Sequence, residues 1–169
     1  MATSTASPVV SVEEYLARTE KPNCESEDGV LHPKPMPTGL HAFIQSRLIL
    51  LLNKLGALAL PELTVRLGPT VFLVPAVAVV RRLEPDYPTE PALLCIEILS
   101  PKDGLGAMLA KCEKYHAWGV PFCWVIDPVK RVAWEYSLGG EPARLDASGQ
   151  LLAGDVSVNV ADLFAQLKD

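Results

Sequence analysis

The apolar run ALLCIEILSPKD, residues 92–103, carries one carboxylate in its greasy part, Glu97. A charged carboxylate in apolar surroundings is costly unless a cation or hydrogen-bond donors meet it. On an extended strand Leu93, Cys95, Glu97 and Leu99 share one face, and Ala92, Leu94, Ile96 and Ile98 share the other, so neither face is a solvated one. Glu97 therefore belongs either to a structural ion pair or to a functional site.

A cation is at hand on the next element. At 100° per residue, Leu105, Met108, Leu109, Cys112 and His116 form one helical stripe, Lys114 faces away, and Lys111 lies near the stripe's edge beside Tyr115 and Trp118. From there Lys111 can lay its stem along a sheet and bring its ammonium to a strand-end carboxylate, or it can snorkel to solvent. His41 opens another helix directly after a proline loop, a position suited either to a site or to a cap. His32 and His116 read as structural. No His/Cys cluster has zinc spacing, no G-x-S-x-G elbow is present, and neither a G-x-G-x-x-G nor a Walker loop occurs.

The elements that must position these residues can be read from pattern and punctuation. Ser11 is an N-cap for a short helix to about Thr19, with Glu13 and Glu14 in its first turn. CESEDGVLH is an acidic hairpin turning at Asp28-Gly29. PKPMPTG is a loop, and apolar residues at 40, 43, 44, 48, 51, 52 and 55 define a long amphipathic helix that Gly56 ends. ELTVRL alternates as a strand, VFLVPAVAVV is a strand interrupted at Pro75, and ALLCIEIL has the two-sided apolar pattern of a central strand. A helix from about Leu105 to Trp118 stops at Gly119 and Pro121, FCWVI and VAWEY form a second hairpin, short strands follow at most, and VADLFAQL closes as a helix. The sum is an α/β fold, a mixed β-sheet flanked by helices.

Composition narrows the function. The chain has 169 residues, the size of one domain, with 15 Lys plus Arg against 20 Asp plus Glu, a net charge of −5. No global positive field draws it to nucleic acid or to an anionic membrane, so such binding must rest on a local patch, for which Lys34, Arg47, Lys102 and Lys111 are the candidates. Cys24, Cys95, Cys112 and Cys123 include no C-x-x-C pair and read as reduced core thiols of a cytoplasmic protein. Residues 1–10 read as a disordered leader ahead of a single domain over 11–169, without a secretory signal, and LILLLNKLGALALP is too short and too interrupted for a membrane span.

Taken together, SVEEYL, CESEDGVL, the helix opening at His41, TVRLGPTVFLVPAVAVV, LLCIEILSPKD, KCEKYHAWGVPFCWVIDP and RVAWEY resemble the Uma-two family of restriction-endonuclease-like proteins, in order, over residues 11–138. The resemblance implies a restriction-endonuclease-like fold of the PD-(D/E)XK superfamily and hydrolysis of phosphodiester bonds. It also implies Mg²⁺ or Mn²⁺ as cofactor, DNA as substrate and a homodimer. Residue by residue, Glu97 matches the second acidic residue of the motif and Lys111 a lysine supplied from the next helix, Leu99 standing where the motif lysine is commonly found. Glu25 matches an early glutamate, and His41 a histidine at the start of the long helix.

The chain departs from the pattern where the family reads Pro-Asp. Here the sequence is Val74-Pro75-Ala76, so the principal metal-ligating aspartate is an alanine, and a methyl group cannot coordinate a hard cation. Val30 and Ser26 also replace usual family residues beside the early hairpin. Glu84 or Asp86 is a carboxylate that could swing in from the next loop. Three expectations follow. One is a nuclease fold with a damaged metal site, inactive or impaired. A second is a residually active Mg²⁺- or Mn²⁺-dependent nuclease that uses Glu25, Glu97, Lys111 and His41. A third is a non-catalytic nucleic-acid-binding or assembly module.

Overall fold

The computed structural model describes residues 8–21 and 23–168. Its elements are α1 (Val12–Leu16), β1 (Cys24–Glu27), β2 (Val30–Pro33), α2 (Gly39–Lys54), β3 (Leu58–Pro61), β4 (Val65–Gly68), β5 (Val71–Leu73), β6 (Val77–Val80), β7 (Leu94–Ile98), α3 (Leu105–Trp118), β8 (Phe122–Asp127), β9 (Val132–Ser137), β10 (Ala143–Leu145), β11 (Gln150–Ala153), β12 (Val156–Asn159) and α4 (Val160–Phe164). The first helix is shorter than its pattern suggests, although Ser11 and Glu14 form the reciprocal capping box that starts it.

The central sheet has six strands in the order β10-β9-β8-β7-β6-β3, with a smaller sheet in the order β2-β1-β5-β4 and the β11-β12 hairpin beside them. Only β7 and β8 run parallel within the central sheet, and helix α3 makes the crossover that a parallel pair needs. Every residue of β7 is buried, as a near-continuous apolar strand covered on both faces should be. One face packs Ile96, Ile98 and Trp124 against Ile44 and Leu48 of α2 and Leu163 of α4. On the other face Cys95, Cys123 and Val125 pack with Cys112 and Tyr115 of α3 and with Val65 and Leu73 of the smaller sheet.

Pro75 does more than interrupt a strand. It lies between β5, which belongs to the smaller sheet, and β6, which belongs to the central one, so the run VFLVPAVAVV spans both sheets. A residue without an N–H donor suits a corner where the chain leaves one ladder for another. The segment read as the strand ELTVRL is a strand only from Val65, and the apolar LALP after α2 forms an edge strand, β3, pairing antiparallel with β6.

The turn at Asp28-Gly29 has φ of 51° and 82°, the pattern of a tight type I′ hairpin. Of the expected disordered leader, residues 1–7 lie outside the described residues, and Val10 donates its N–H to Gly29 O at 2.9 Å. Gly119 closes α3 at φ 115°, a left-handed cap that glycine adopts without strain. None of the four cysteines forms a disulfide. Among the described residues no helix is long and apolar enough to cross a membrane.

Candidate functional site

The strand end that carries Glu97, the hairpin strand that carries Glu25 and the outward edge of α3 converge on one cavity of about 450 Å³. Glu25, His41, Glu97 and Lys111 all line it, so the structure brings the four sequence-derived site residues together. Glu25 and Glu97 are 8% and 4% exposed, which rules out solvent as the agent that stabilises their charge.

Protein groups meet both carboxylates. The Lys111 ammonium stands 2.7 Å from Glu25 Oε1 and 2.7 Å from Glu97 Oε1. Tyr115, one helical turn further along α3, donates its hydroxyl to Glu97 Oε1 at 2.7 Å. The Val74 N–H, on the chain just before Pro75, donates to Glu25 Oε1 at 2.8 Å. Burial by itself lowers the Lys111 pKa, but the charges of Glu97 and Glu25 and their hydrogen bonds outweigh it and raise the pKa above the ordinary lysine value. An ammonium so held stays protonated at neutral pH and is no general base.

Ala76 lies outside this cluster. The ladder between β6 and β7 pairs Val77 with Ile96 and Ala78 with Cys95, and residue 76 is the last before β6 begins. It does not line the cavity that Glu97 lines. Ala76 is buried within the core beneath α2, and its carbonyl accepts from the Gln45 side chain at 2.8 Å.

A second ion pair, which sequence reasoning missed, lines the same cavity. Glu62 has a φ of 49°, and it accepts from the Lys34 ammonium at 2.8 Å and from the Gln45 amide at 3.0 Å. Lys34 also donates to Val74 O at 2.8 Å. Sequence analysis placed Glu62 only as the first residue of the strand ELTVRL, whereas it precedes β4 and follows the unrecognised strand β3, so its place in the cavity was not anticipated. Glu84 accepts hydrogen bonds from Thr89 and lines a separate shallow pocket, and neither it nor Asp86 lines the main cavity.

His41 follows the helix cap of Thr38, whose hydroxyl accepts from the His41 N–H at 3.2 Å. Its Nδ1 is buried and has no hydrogen-bond partner. Burial, followed by the positive charge of Lys34, lowers its pKa below the usual value, against the opposing pull of Glu62, Glu97 and Asp103. The proposed basic patch is not assembled as one surface. Lys34 and Lys111 are consumed in ion pairs inside the cavity, Arg47 donates to the carbonyls of Asp162 and Ala165 at the end of the chain, and Lys102 is exposed.

The donor set does not fit a divalent metal. Among the described residues no group of three or more His, Cys, Asp or Glu side chains is arranged to hold one. The two carboxylates nearest the motif positions already share an ammonium, and the third position is a methyl group. Mg²⁺ in phosphoryl-transfer sites is commonly held by one or two protein carboxylates with substrate oxygens and water, so the pairing of Glu25 and Glu97 with Lys111 weighs directly on affinity.

No curated protein matches the sequence. The chain is similar to a crystal structure described as a "putative nuclease belonging to DUF820" from Anabaena variabilis ATCC 29413, with 25% identity, a TM-score of 0.80, and coverage of 92% of this chain and 98% of that one. The fold is thus nuclease-like as well as mixed α/β. The sequence profile of the Uma2 family, described as "Putative restriction endonuclease", matches residues 12–167. With a match over nearly the whole chain, this protein belongs to the Uma2 family of restriction-endonuclease-like proteins.

Proposed function

We propose that this chain is a nuclease-fold protein, with nucleic acid as its ligand, whose divalent-metal machinery is incomplete. Hydrolysis of phosphodiester bonds with Mg²⁺ or Mn²⁺ is abolished or strongly reduced, and binding or assembly is what the fold retains. One observation carries the reading, an alanine at position 76, just before β6, where the family resemblance expects an aspartate. Family membership and the nuclease-like fold support the ligand class. In a complete site the metal would polarise the phosphate and activate water, and here the side chain at the position of the expected aspartate has no oxygen.

The test compares the native chain with Ala76→Asp for cleavage of DNA and of RNA in Mg²⁺ and in Mn²⁺. Cleavage that appears or rises only in the aspartate variant supports the reading. Equal cleavage by both chains, lost on Glu97→Ala, would instead favour a second reading, a residually active nuclease built on Glu25, Glu97, Lys111 and His41. The lining of one cavity by all four of these residues keeps that reading in contention. The buried thiols, none in a disulfide, suit a reducing cytoplasmic setting.

A further inference from the structure

We propose that Lys111 is the resident cation of this site, a tethered ammonium that holds Glu25 and Glu97 as a closed cluster and competes with any divalent ion for them. The inference deepens the reading of an incomplete metal centre and rests on it.

The geometry is that of a bridging cation. One nitrogen contacts an oxygen of each carboxylate at 2.7 Å, so the two oxygens lie no further apart than twice that distance. The Lys111 side chain is 14% exposed and those of Glu25 and Glu97 are 11% and 5%, which places the whole cluster away from bulk water, where ion pairs are weakly screened. Both bridged oxygens accept a further donor, Val74 N–H on Glu25 and the Tyr115 hydroxyl on Glu97. A divalent ion approaching these oxygens must displace a charged nitrogen and give up its own water, and the displaced ammonium has only a partly buried cavity in which to go.

Removal of the ammonium reverses this. The two glutamates remain positioned by β1, β7, Val74 and Tyr115, but they become two neighbouring like charges without a counter-ion. Such a pair gains most from a hard cation of charge two. A lysine whose role is to orient or deprotonate water predicts only lost activity when it is replaced. A tethered cation predicts gained metal affinity.

The probe is Mn²⁺ alone, titrated calorimetrically into the full chain as native protein and as Lys111→Met, with melting curves at matched ionic strength. Expected for Lys111→Met are a lowered melting temperature in metal-free buffer, a rise as Mn²⁺ is added but not as NaCl is added, and a Kd at least about tenfold tighter than that of the native chain. No gain in Mn²⁺ affinity over the native chain overturns the proposal. Should Lys111→Met fail to fold without metal, refolding of it and of Lys111→Gln is repeated in Mn²⁺. A cooperative melt recovered in either variant supports the tethered cation, and recovery in neither overturns it. The incomplete-centre reading fails on a different observation, cleavage by the native chain equal to that by Ala76→Asp, so the two failures are distinguishable.

Discussion

Lys111 and Tyr115, one turn apart on α3, converge on the same oxygen of Glu97, each at 2.7 Å. An i, i+4 pair on one helix edge can present two donors to one point because successive turns stack side chains along that edge. The carboxylate is therefore held by a charge and by a neutral hydroxyl from a single rigid element. This arrangement accounts for how a glutamate survives at 4% exposure in an otherwise apolar strand.

The Tyr115 hydroxyl should be measurable as stability. Tyr115→Phe removes a hydrogen bond to a buried charged group, and urea titration should record a loss of about 1.5–3 kcal/mol. Burial first, then the Glu97 charge, raises the Tyr115 pKa well above 10.0. The unfolded chain thus releases this proton first as pH rises, so the tyrosine's stabilisation is complete below about pH 10 and declines above it. The phenylalanine variant should show a shallower alkaline loss than the native chain, and identical alkaline slopes would argue against a protonated Tyr115–Glu97 bond.

Two ion pairs on α3 should differ sharply. Glu97→Ala strips a partner from a buried ammonium and should cost about 3–5 kcal/mol. Lys114 pairs with Glu27 at 2.7 Å, but its side chain is 43% exposed, so Lys114→Ala should cost no more than about 1 kcal/mol. Chemical denaturation of the two variants side by side checks the ranking, and comparable losses would contradict the assignment of Glu97 to a closed cluster.

Much of this was readable from the sequence because the signals are local. The limits of α2 and α3 follow from helical spacing with Gly56 and Gly119 as stops, and the two-sided apolar pattern of ALLCIEIL identifies the central strand. What was not readable is non-local. Nothing in a single strand pattern says that β5 and β6 belong to different sheets, because Pro75 signals an interruption but not its destination. Lys111 could be placed near the edge of its helix, but the choice between a snorkelling lysine and a bridge to Glu25 is made by tertiary packing across a separation of 86 residues. Glu62 was missed for the same reason, since its meaning comes from Lys34 and Gln45 on distant segments.

Acid should act through His41. Its folded pKa lies below the unfolded one, so on acidification the unfolded chain takes up the proton first, and stability falls from about pH 6.5 downward until the folded histidine also titrates. His41→Gln should flatten that part of the stability profile while leaving the region above about pH 7 parallel to the native curve. An unchanged slope between about pH 6.5 and 5 in the variant would show that another group is responsible.

The early hairpin offers a backbone test. Gly29 sits at φ 82°, and a methyl group built there would meet the Val9 side chain and lie 2.7 Å from Val10 O. Gly29→Ala should therefore lower stability by about 1–3 kcal/mol through strain and displacement of residues 9 and 10. Melting curves check this, and because Glu25 is on the same hairpin, the loss should be accompanied by faster amide exchange at Glu25 and Ser26.

The proposal of an incomplete metal centre turns on Ala76, the residue at the position of the expected aspartate. Its most direct measurement is calorimetric titration of Mn²⁺ into the native chain and into Ala76→Asp under identical conditions, with nucleic-acid cleavage read on the same samples. Expected are weak or undetectable binding and little or no cleavage by the native chain, with a gain of at least about tenfold in Mn²⁺ affinity and the onset of cleavage in the aspartate variant. Tight Mn²⁺ binding and efficient cleavage by the native chain, with no gain from the aspartate, would contradict it.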